Sequence, residues 1–268
     1  MSAIIEGVTM EQIADFHRNG FIALGPITDA AELEWMRGVY DRIFSERAGR
    51  ESGDQFDLGG TDEEGKEAVL PQILNPSRYA PELREGNYLK NADRIVKQLL
   101  GPTASVGIAH AIFKPAGTGA ATPWHQDEAY WDPAHLYYSV SVWMPLQPAT
   151  IDNGCLWFVP GSHRWDVLPH RSIGGDPRIH GLELAVPDPD VLLAGAVPCP
   201  LEPGGITIHL NRTLHYAGAN TSDIPRRALI LGAGLPSLLH PGERRFPWNE
   251  AKITPRQERA REAAGAAR

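Results

Sequence analysis

One short motif in this chain brings together side chains that could bind a transition metal. Residues 124–127 read Trp-His-Gln-Asp, so His125 and Asp127 lie two apart. On a β-strand, residues at this spacing point to the same side. One imidazole and one carboxylate supply two of the three ligands of the 2-His-1-carboxylate triad, which leaves positions open on Fe(II). Alone, the His-x-Asp pattern recurs by chance, and without further support it favours a pair on a surface strand or turn.

A third ligand and an anchor for an anion are available further along the chain. His215 lies in the segment 211–222, and Arg226 follows it at the start of an apolar stretch. An arginine close to the metal offers a charged, bidentate fork for a dicarboxylate. Because side chains alternate along a strand, only one of Arg226 and Arg227 can face inward, and we expect the other at the surface.

Short β-strands are the elements that must position these residues. Five segments after Gly101 are short and rich in β-forming residues, namely 106–113, 138–146, 155–159, 206–210 and 228–231. The sequence Asp-Asn-Gly at 152–154 predicts a hairpin between two of them. The 27 glycines and 23 prolines of the chain also favour many short strands over a helical bundle.

The first hundred residues predict helices instead. Residues 9–12 form a capping box before a short helix, and Thr28 or Asp29 can cap a second one. A third helix is expected to end at 99–101. The polar, glycine-rich stretch 48–66 predicts a loop.

Composition limits the class of protein. The chain has 268 residues, of which 42% are hydrophobic and 22% charged, a mix typical of a folded globular protein. The net charge of −8 argues against binding of nucleic acid. Cys155 and Cys199 are too few for a disulfide framework and favour a reducing compartment. No signal peptide is visible, and the apolar stretch 191–197 is too short to span a membrane. We therefore expect a cytoplasmic protein with a small-molecule substrate, and the sequence predicts no oligomeric state.

The chain divides into a helical part, a β core and a tail. We expect the helical N-terminal part at about 1–101 and the β core at about 102–247. Within the core, residues 161–203 hold many Gly, Pro, Arg and His with little periodicity, as is typical of an active-site lid. The tail at about 248–268 is charged and alanine-rich, which predicts either a helix or a frayed end.

Four segments in a fixed order make the chain resemble the phytanoyl-CoA dioxygenase family of Fe(II)- and 2-oxoglutarate-dependent oxygenases. They are the opening 16–24, the motif 124–127, the Asn-Gly-Cys-Leu-Trp-Phe-Val-Pro-Gly-Ser-His segment 153–163, and residues 215–226. The resemblance covers most of the chain. It implies a mainly β fold in a single domain spanning 1–268: a double-stranded β-helix (a cupin-like jelly roll) with N-terminal helices packed outside.

The resemblance also implies roles for individual residues. His125, Asp127 and His215 would be the catalytic iron ligands, and Arg226 would bind the distal carboxylate of 2-oxoglutarate. Three more positions match family residues that line the cosubstrate site, namely Gln126, Trp143 and His110. In one departure, the family often has Ser two residues after the distal His, where this chain has Ala217. Another donor must then satisfy the cosubstrate carboxylate, or 2-oxoglutarate binds more weakly.

The remaining histidines and aromatic residues have less specific expectations. His209 is expected to make a hydrogen bond in the core or to lie behind the ligands, and His163 is expected to close a hairpin rather than to bind metal. His170 and His180 lie in the lid, where contact with substrate stays open. We expect both to be exposed histidines of a loop. An aromatic group after the motif is equally consistent with a pocket wall and with core packing, and consists of Tyr130, Trp131, Tyr137 and Tyr138.

The implied activity is hydroxylation of an unactivated C–H bond with Fe(II), 2-oxoglutarate and O2, with a biosynthetic metabolite as the default substrate. Desaturation, epoxidation or cyclisation by the same iron chemistry stays open. Halogenation is disfavoured, because the resembling halogenases replace the carboxylate ligand by a small residue and this chain keeps Asp127. An acyl-CoA substrate has less support, since the basic residues are scattered. A non-catalytic cupin-like binding protein is the rival from another class; uncoupled decarboxylation of 2-oxoglutarate would separate the two.

Overall fold

The computed structural model describes residues 3–117 and 120–266. The described helices are α1 (Met10–Asn19), α2 (Ala30–Ser45), α3 (Asn87–Leu100), α4 (Pro189–Leu193), α5 (Pro247–Glu250) and α6 (Pro255–Ala266). The described strands are β1 (Phe21–Leu24), β2 (Gln55–Asp57), β3 (Pro71–Leu74), β4 (Ser105–Lys114), β5 (Thr122–His125), β6 (His135–Leu136), β7 (Ser139–Pro145), β8 (Leu156–Phe158), β9 (His170–Ser172), β10 (Leu182–Leu184), β11 (Val197–Cys199), β12 (Ile206–Leu210), β13 (His215–Ala217), β14 (Arg226–Gly234) and β15 (Leu238–Leu239).

Local signals set the ends of the first two helices as the sequence predicts. The Thr9 hydroxyl accepts from the Gln12 amide nitrogen at 3.2 Å, and the Gln12 side chain accepts from the Thr9 amide at 2.8 Å, which completes the capping box. Gly20 ends α1 with a left-handed φ of +83°, which a residue with a Cβ rarely adopts. Of the two candidate caps for α2, Asp29 takes the role by accepting from the Glu32 amide at 2.8 Å.

The core of the protein consists of two antiparallel sheets that face each other. The larger sheet has the strand order β1-β12-β7-β14-β4-β3-β2, and the smaller has the order β11-β8-β13-β5. Helices α2 and α3 cover the outer face of the larger sheet with an apolar core. Along β7, Val140, Val142 and Met144 join that outer core, whereas Ser141 and Trp143 point between the sheets and line a cavity. The expected jelly roll with helices packed outside is confirmed.

Two sequence predictions about the fold are wrong. The stretch 48–66 is not only a loop, because it contains β2, which joins the edge of the larger sheet. The turn at 152–154 does not close a hairpin, because β7 and β8 on either side of it belong to different sheets. The turn itself forms as expected: the Asn153 side chain accepts from the Thr150 amide and donates to the Pro148 carbonyl, each at 2.8 Å. The local signal therefore fixes a reversal of the chain, while long-range pairing decides which sheet receives the next strand.

The segment 161–203 and the C-terminal tail lie against each other over one side of the core. The segment contains the antiparallel pair β9–β10, and its last strand β11 joins the smaller sheet. The tail is anchored where the Trp248 indole and the Asn249 amide each donate to the Ala129 carbonyl at 2.8 Å. The Ile253 amide donates to the Pro177 carbonyl of the segment at 3.0 Å. The sequence predicts either a helix or a frayed end for the tail, and the helix is confirmed by α6. Among the described helices, none combines the length and apolar character needed to cross a membrane.

Candidate active site

Two histidines meet because their strands are neighbours in the smaller sheet. β13 pairs with β5 so that His215 lies opposite His125, and their ring centroids are 4.2 Å apart. Both side chains are buried and line a cavity between the two sheets.

Backbone carbonyls fix which nitrogen each imidazole offers. Nδ1 of His125 lies 2.7 Å from the Pro123 carbonyl oxygen, and Nδ1 of His215 lies 2.9 Å from that of Thr213. A carbonyl oxygen only accepts, so Nδ1 carries a proton, and in the neutral imidazole Nε2 then keeps its lone pair. A hydrogen bond of this kind is how proteins orient a metal-binding imidazole.

Asp127 completes a cluster with the two imidazoles. β5 ends at His125, but Gln126 keeps extended dihedrals (φ −116°, ψ 130°), so the alternation that the sequence suggests persists one residue beyond the strand. One carboxylate oxygen lies 3.6 Å from Nε2 of His125 and 3.5 Å from Nε2 of His215. The other accepts from the Ser141 hydroxyl at 2.7 Å and the Asn211 amide at 3.1 Å. The carboxylate is thus oriented with one oxygen towards the histidines.

The chemistry of this cluster fits Fe(II). The ligand atoms of His125, Asp127 and His215 all lie within 4.8 Å of one another. Burial lowers the pKa of His215 well below its usual range, which keeps Nε2 free of a proton. Burial by itself raises the pKa of Asp127, but His215 and the close approach of His125 and His209 outweigh it and hold the carboxyl ionised. Two neutral imidazoles and one carboxylate are the donor set of the iron triad.

The cavity beside this cluster has a volume of about 810 Å³. Cavities of that order hold small-molecule ligands. The larger sheet contributes inward residues of β4, β7, β12 and β14 to its walls, and the smaller sheet contributes the cluster. The site therefore lies between the two sheets of the jelly roll.

The two adjacent arginines point in opposite directions, as strand alternation predicts. Arg226 is 1% exposed and lines the cavity, and its guanidinium carbon lies 5.3 Å from the centre of the Trp143 ring. Its Nε and Nη1 atoms are buried and have no partner among the described residues. Arg227 instead forms a bidentate pair with Asp41 on α2, at 2.6 and 2.9 Å. Arg226 thus has unused donors that could bind an anion, whereas Arg227 forms an ion pair on the outer side of the sheet.

A second buried cation lies beside Arg226. Lys114 is paired with Arg226 in the register of β4 and β14, and it is fully buried. Its ammonium donates to the carbonyl of Ala120. Burial chiefly, and then the nearby Arg226, lower the pKa of Lys114 well below its usual value. Arg226 in the cavity wall therefore has a second basic residue buried beside it, and neither side chain forms an ion pair within the described part of the chain.

The family resemblance implies three more residues around the cosubstrate, and two of them line the cavity. Trp143 and His110 are in its wall, and burial lowers the pKa of His110 to about 4, so its ring is neutral. Gln126 is fully buried, and its amide donates to the Arg212 carbonyl at 2.9 Å and accepts from the Leu168 amide at 2.8 Å. The Gln126 side chain therefore links the motif at 124–127 to the start of the segment 161–203. It is not among the residues that line the cavity.

Three other histidines lie close to the site, and two of them differ from their expected environments. His209 lies with Nε2 3.4 Å from Asp127, yet neither ring nitrogen has a hydrogen-bond partner among the described residues. His170 is buried, and its Nε2 accepts from the Gln126 amide at 3.2 Å. His180 lines the cavity. The expectation that His170 and His180 are exposed loop histidines is wrong, because the tail covers the loop that carries them.

Sequence reasoning missed several residues that shape the site. Ser141 and Asn211 orient Asp127; the alternation of β7, which places Ser141 on the same face as Trp143, could have identified the first. Tyr130, Trp131 and Tyr137 line the cavity, which resolves the choice between wall and core, whereas Tyr138 is 41% exposed.

Comparisons with known proteins agree with this geometry. A sequence model described as "Phytanoyl-CoA dioxygenase (PhyH)" matches residues 16–228. The chain is 28% identical over 255 residues to phytanoyl-CoA dioxygenase 1 of Oryza sativa subsp. japonica, covering 84% of this chain and 88% of that protein. Among solved structures, EvdO2 of Micromonospora carbonacea var. aurantiaca is similar with a TM-score of 0.78 and 38% identity, over 92% of this chain and 99% of that one. The same protein complexed with 2-oxoglutarate is similar with a TM-score of 0.77 and 34% identity, over the same shares.

Proposed function

The chain belongs to the phytanoyl-CoA dioxygenase family, and on that premise we propose that it hydroxylates an unactivated C–H bond of a small, biosynthetic molecule with iron held by His125, Asp127 and His215. It is a non-haem iron, 2-oxoglutarate-dependent dioxygenase, as the family match over residues 16–228 and the similarity to a structure containing 2-oxoglutarate indicate. One observation carries the assignment of the site. Three metal-ligand atoms lie within 4.8 Å of one another in the same cavity as a buried arginine with unused donors.

Each residue of the site has a distinct task in this proposal. Bound Fe(II) would supply activation of O2 coupled to decarboxylation of 2-oxoglutarate to succinate and CO2, leaving one oxygen atom in succinate and one in the product. The carbonyls of Pro123 and Thr213 keep the two imidazoles in the metal-binding tautomer. Ser141 holds the second oxygen of Asp127, so that the first faces the metal position.

Arg226 would bind the distal carboxylate of 2-oxoglutarate. Its buried Nε and Nη1 atoms lack partners, and a carboxylate accepts in bidentate fashion from two adjacent nitrogens of a guanidinium. We propose that the bound cosubstrate carboxylate favours the charged form of Lys114, whose attraction then compensates for the missing family serine at Ala217. Trp143 and His110 would form the apolar and neutral walls around the cosubstrate.

The cavity supports a small-molecule substrate. Its volume of about 810 Å³ leaves room beside a five-carbon cosubstrate. Hydroxylation is the outcome we propose; desaturation, epoxidation or cyclisation would use the same residues. We treat residues 1–268 as one catalytic domain with 161–203 as its lid. A cytoplasmic location is supported by Cys155 and Cys199, which are free and buried.

Succinate formation tests the proposal. Protein supplied with Fe(II), 2-oxoglutarate and O2 should form succinate slowly even without a substrate, and removal of iron by a chelator should stop it. A non-catalytic cupin-like protein would form none. Mass spectrometry of candidate metabolites then identifies the reaction, because hydroxylation adds one oxygen atom and desaturation removes two hydrogens.

A matched pair of variants assigns the iron ligand. Asp127→Ala should abolish succinate formation, whereas Asp132→Ala should not, because Asp132 is a solvent-exposed carboxylate that contacts His135 outside the cavity. A folded Asp127→Ala protein that turned over at the wild-type rate would show that the iron is held elsewhere.

A further inference from the structure

A second group of basic side chains lies at the end of the cavity covered by the lid and the tail. Arg256, in the first turn of α6, and His180, just before β10, both line the cavity. They are distinct from the proposed 2-oxoglutarate anchor, which is on β14. The guanidinium of Arg256 lies 4.9 Å from the centre of the Phe56 ring, and His180 packs edge-on against the same ring at 4.9 Å.

The acidic residues near Arg256 are already paired with other cations. Asp62 forms ion pairs with Arg50 and Arg259, and Asp54 pairs with Arg78 at 2.7 Å. Within the described ranges no carboxylate lies within ion-pair distance of Arg256, and its buried Nε has no hydrogen-bond partner. Burial therefore lowers the pKa of Arg256 despite the more distant attraction of Asp54.

Lys252 and His180, beside Arg256, also have polar groups without an ion-pair or hydrogen-bond partner among the described residues. Lys252 is 8% exposed and places its ammonium 4.7 Å from the centre of the Tyr130 ring, without an ion-pair partner among the described residues. Burial chiefly, and then Arg256, lower the pKa of Lys252 to about 7. Nδ1 of His180 is buried and also lacks a partner. A folded protein gains nothing from leaving such groups unpaired, because removing an unpaired charge or polar atom from water is unfavourable.

We propose that this group is the substrate's anion-binding subsite, so that the primary substrate carries a carboxylate or phosphate bound by Arg256 with His180. The inference rests on the proposed function, because it names the substrate class for the same cavity. An oxyanion would supply the bidentate acceptor that the guanidinium lacks and a partner for Nδ1 of His180.

The position of the subsite relative to the iron ligands sets the shape of the substrate. The Tyr130 ring lies between them, 5.8 Å from the His180 ring and 6.0 Å from the His125 ring, measured between centroids. A substrate anchored at Arg256 would extend along Tyr130, so its anionic group and its reacting carbon are at opposite ends of the molecule.

Three benzene derivatives, two of them anionic and one neutral, test the subsite directly. Iron-loaded protein is saturated with 2-oxoglutarate under anaerobic conditions, which fills the Arg226 site, and titrated with benzoate, phenyl phosphate and neutral benzamide by calorimetry. We expect at least one of the anions to bind at least tenfold more tightly than benzamide. Arg256→Gln should remove that preference, while benzamide and 2-oxoglutarate affinities change less than twofold.

Matched variants make the outcome decisive. Arg245 is an exposed arginine that precedes α5 and pairs with Glu250, so Arg245→Gln should leave all affinities unchanged. Arg256→Lys should keep part of the preference because it retains the charge. Equal binding of anion and amide by the wild type, or equal effects of Arg256→Gln and Arg245→Gln, would overturn the inference. Failure of the wild type to bind 2-oxoglutarate would refute the proposed function instead, and the comparison of those two variants with benzoate would still report on Arg256.

Discussion

Replacing Arg226 by methionine should separate the stability of the protein from its affinity for 2-oxoglutarate. In the complex, the substitution removes one partner of a buried charge pair, which typically costs about 3–5 kcal/mol. Each tenfold change in a dissociation constant corresponds to about 1.4 kcal/mol, so the dissociation constant of 2-oxoglutarate should rise roughly 100- to 4,000-fold.

Without the cosubstrate, the same substitution should stabilise the protein. Burial lowers the pKa of Arg226 from 12.5 to about 10, which corresponds to a penalty of roughly 3 kcal/mol on its charged form. Methionine fills much of the same space without a charge, so we expect the free energy of unfolding to increase by ~1–3 kcal/mol. Few substitutions at a fully buried position stabilise a protein, which makes this outcome distinctive.

Two measurements on the same samples give both quantities. Denaturant unfolding of the metal-free protein gives the change in stability, and calorimetric titration with saturating Fe(II) under anaerobic conditions gives the affinity for 2-oxoglutarate. The wild type should gain thermal stability when 2-oxoglutarate is added, and the variant should not.

Arg227→Met is the matched control. It breaks an ion pair with Asp41, whose side chain is 52% exposed, so it should change stability by less than about 1 kcal/mol and leave the affinity intact. A larger loss of affinity in Arg227→Met than in Arg226→Met would mean that β14 is shifted by one residue. No loss in either variant would mean that the cosubstrate carboxylate is bound elsewhere.

Three further predictions concern the surroundings of the site. Lys114→Met should weaken 2-oxoglutarate binding roughly 5- to 30-fold, as expected for losing about 1–2 kcal/mol of attraction from a buried charge that is not in direct contact; calorimetry checks it, and unchanged affinity would leave the compensation for Ala217 without support. Gln126→Ala should speed amide hydrogen exchange in 161–203, most strongly at Leu168, because it removes the acceptor for that amide; lower 2-oxoglutarate affinity with unchanged exchange would favour the cosubstrate role expected from sequence. Lys252→Met should raise the free energy of unfolding by roughly 2–4 kcal/mol at pH 6, with the gain shrinking between about pH 7 and 10. The sign follows because folded Lys252 loses its proton near its lowered pKa of about 7 while the unfolded chain keeps it to about 10.5, so wild-type stability rises with pH in that window; a gain independent of pH would contradict this reasoning.

Local rules were enough for the parts of the site that lie on single strands. The alternation of β14 predicts that Arg226 and Arg227 face opposite ways, and the motif at 124–127 predicts that His125 and Asp127 share a side. The family resemblance adds His215, whose partnership with His125 depends on two strands far apart in the sequence. The structure agrees on each of these placements.

Contacts between distant segments explain what the sequence could not reveal. Arg256 and His180 are in stretches without periodicity, and they meet only because the tail lies across the lid. The turn at 152–154 shows the same limit, since its side-chain bonds are local but the pairing of β8 with β11 and β13 is not. Gln126 lies beside the ligands in sequence, yet its partners at Leu168 and Arg212 come from segments that no local pattern connects to it.

The order of strands in the larger sheet has a consequence for synthesis on the ribosome. Its two edges, β1 on one side and β2 on the other, come from the beginning of the chain, whereas the central β7, β12 and β14 come later. β1 pairs with β12, so its apolar residues leave the ribosome long before their partner strand exists. Pairings this distant form slowly and leave apolar surface exposed in the meantime. The nascent chain should therefore stay sensitive to proteases and aggregation until β14 has emerged, and then fold in one late step that builds the cavity and the sheet together.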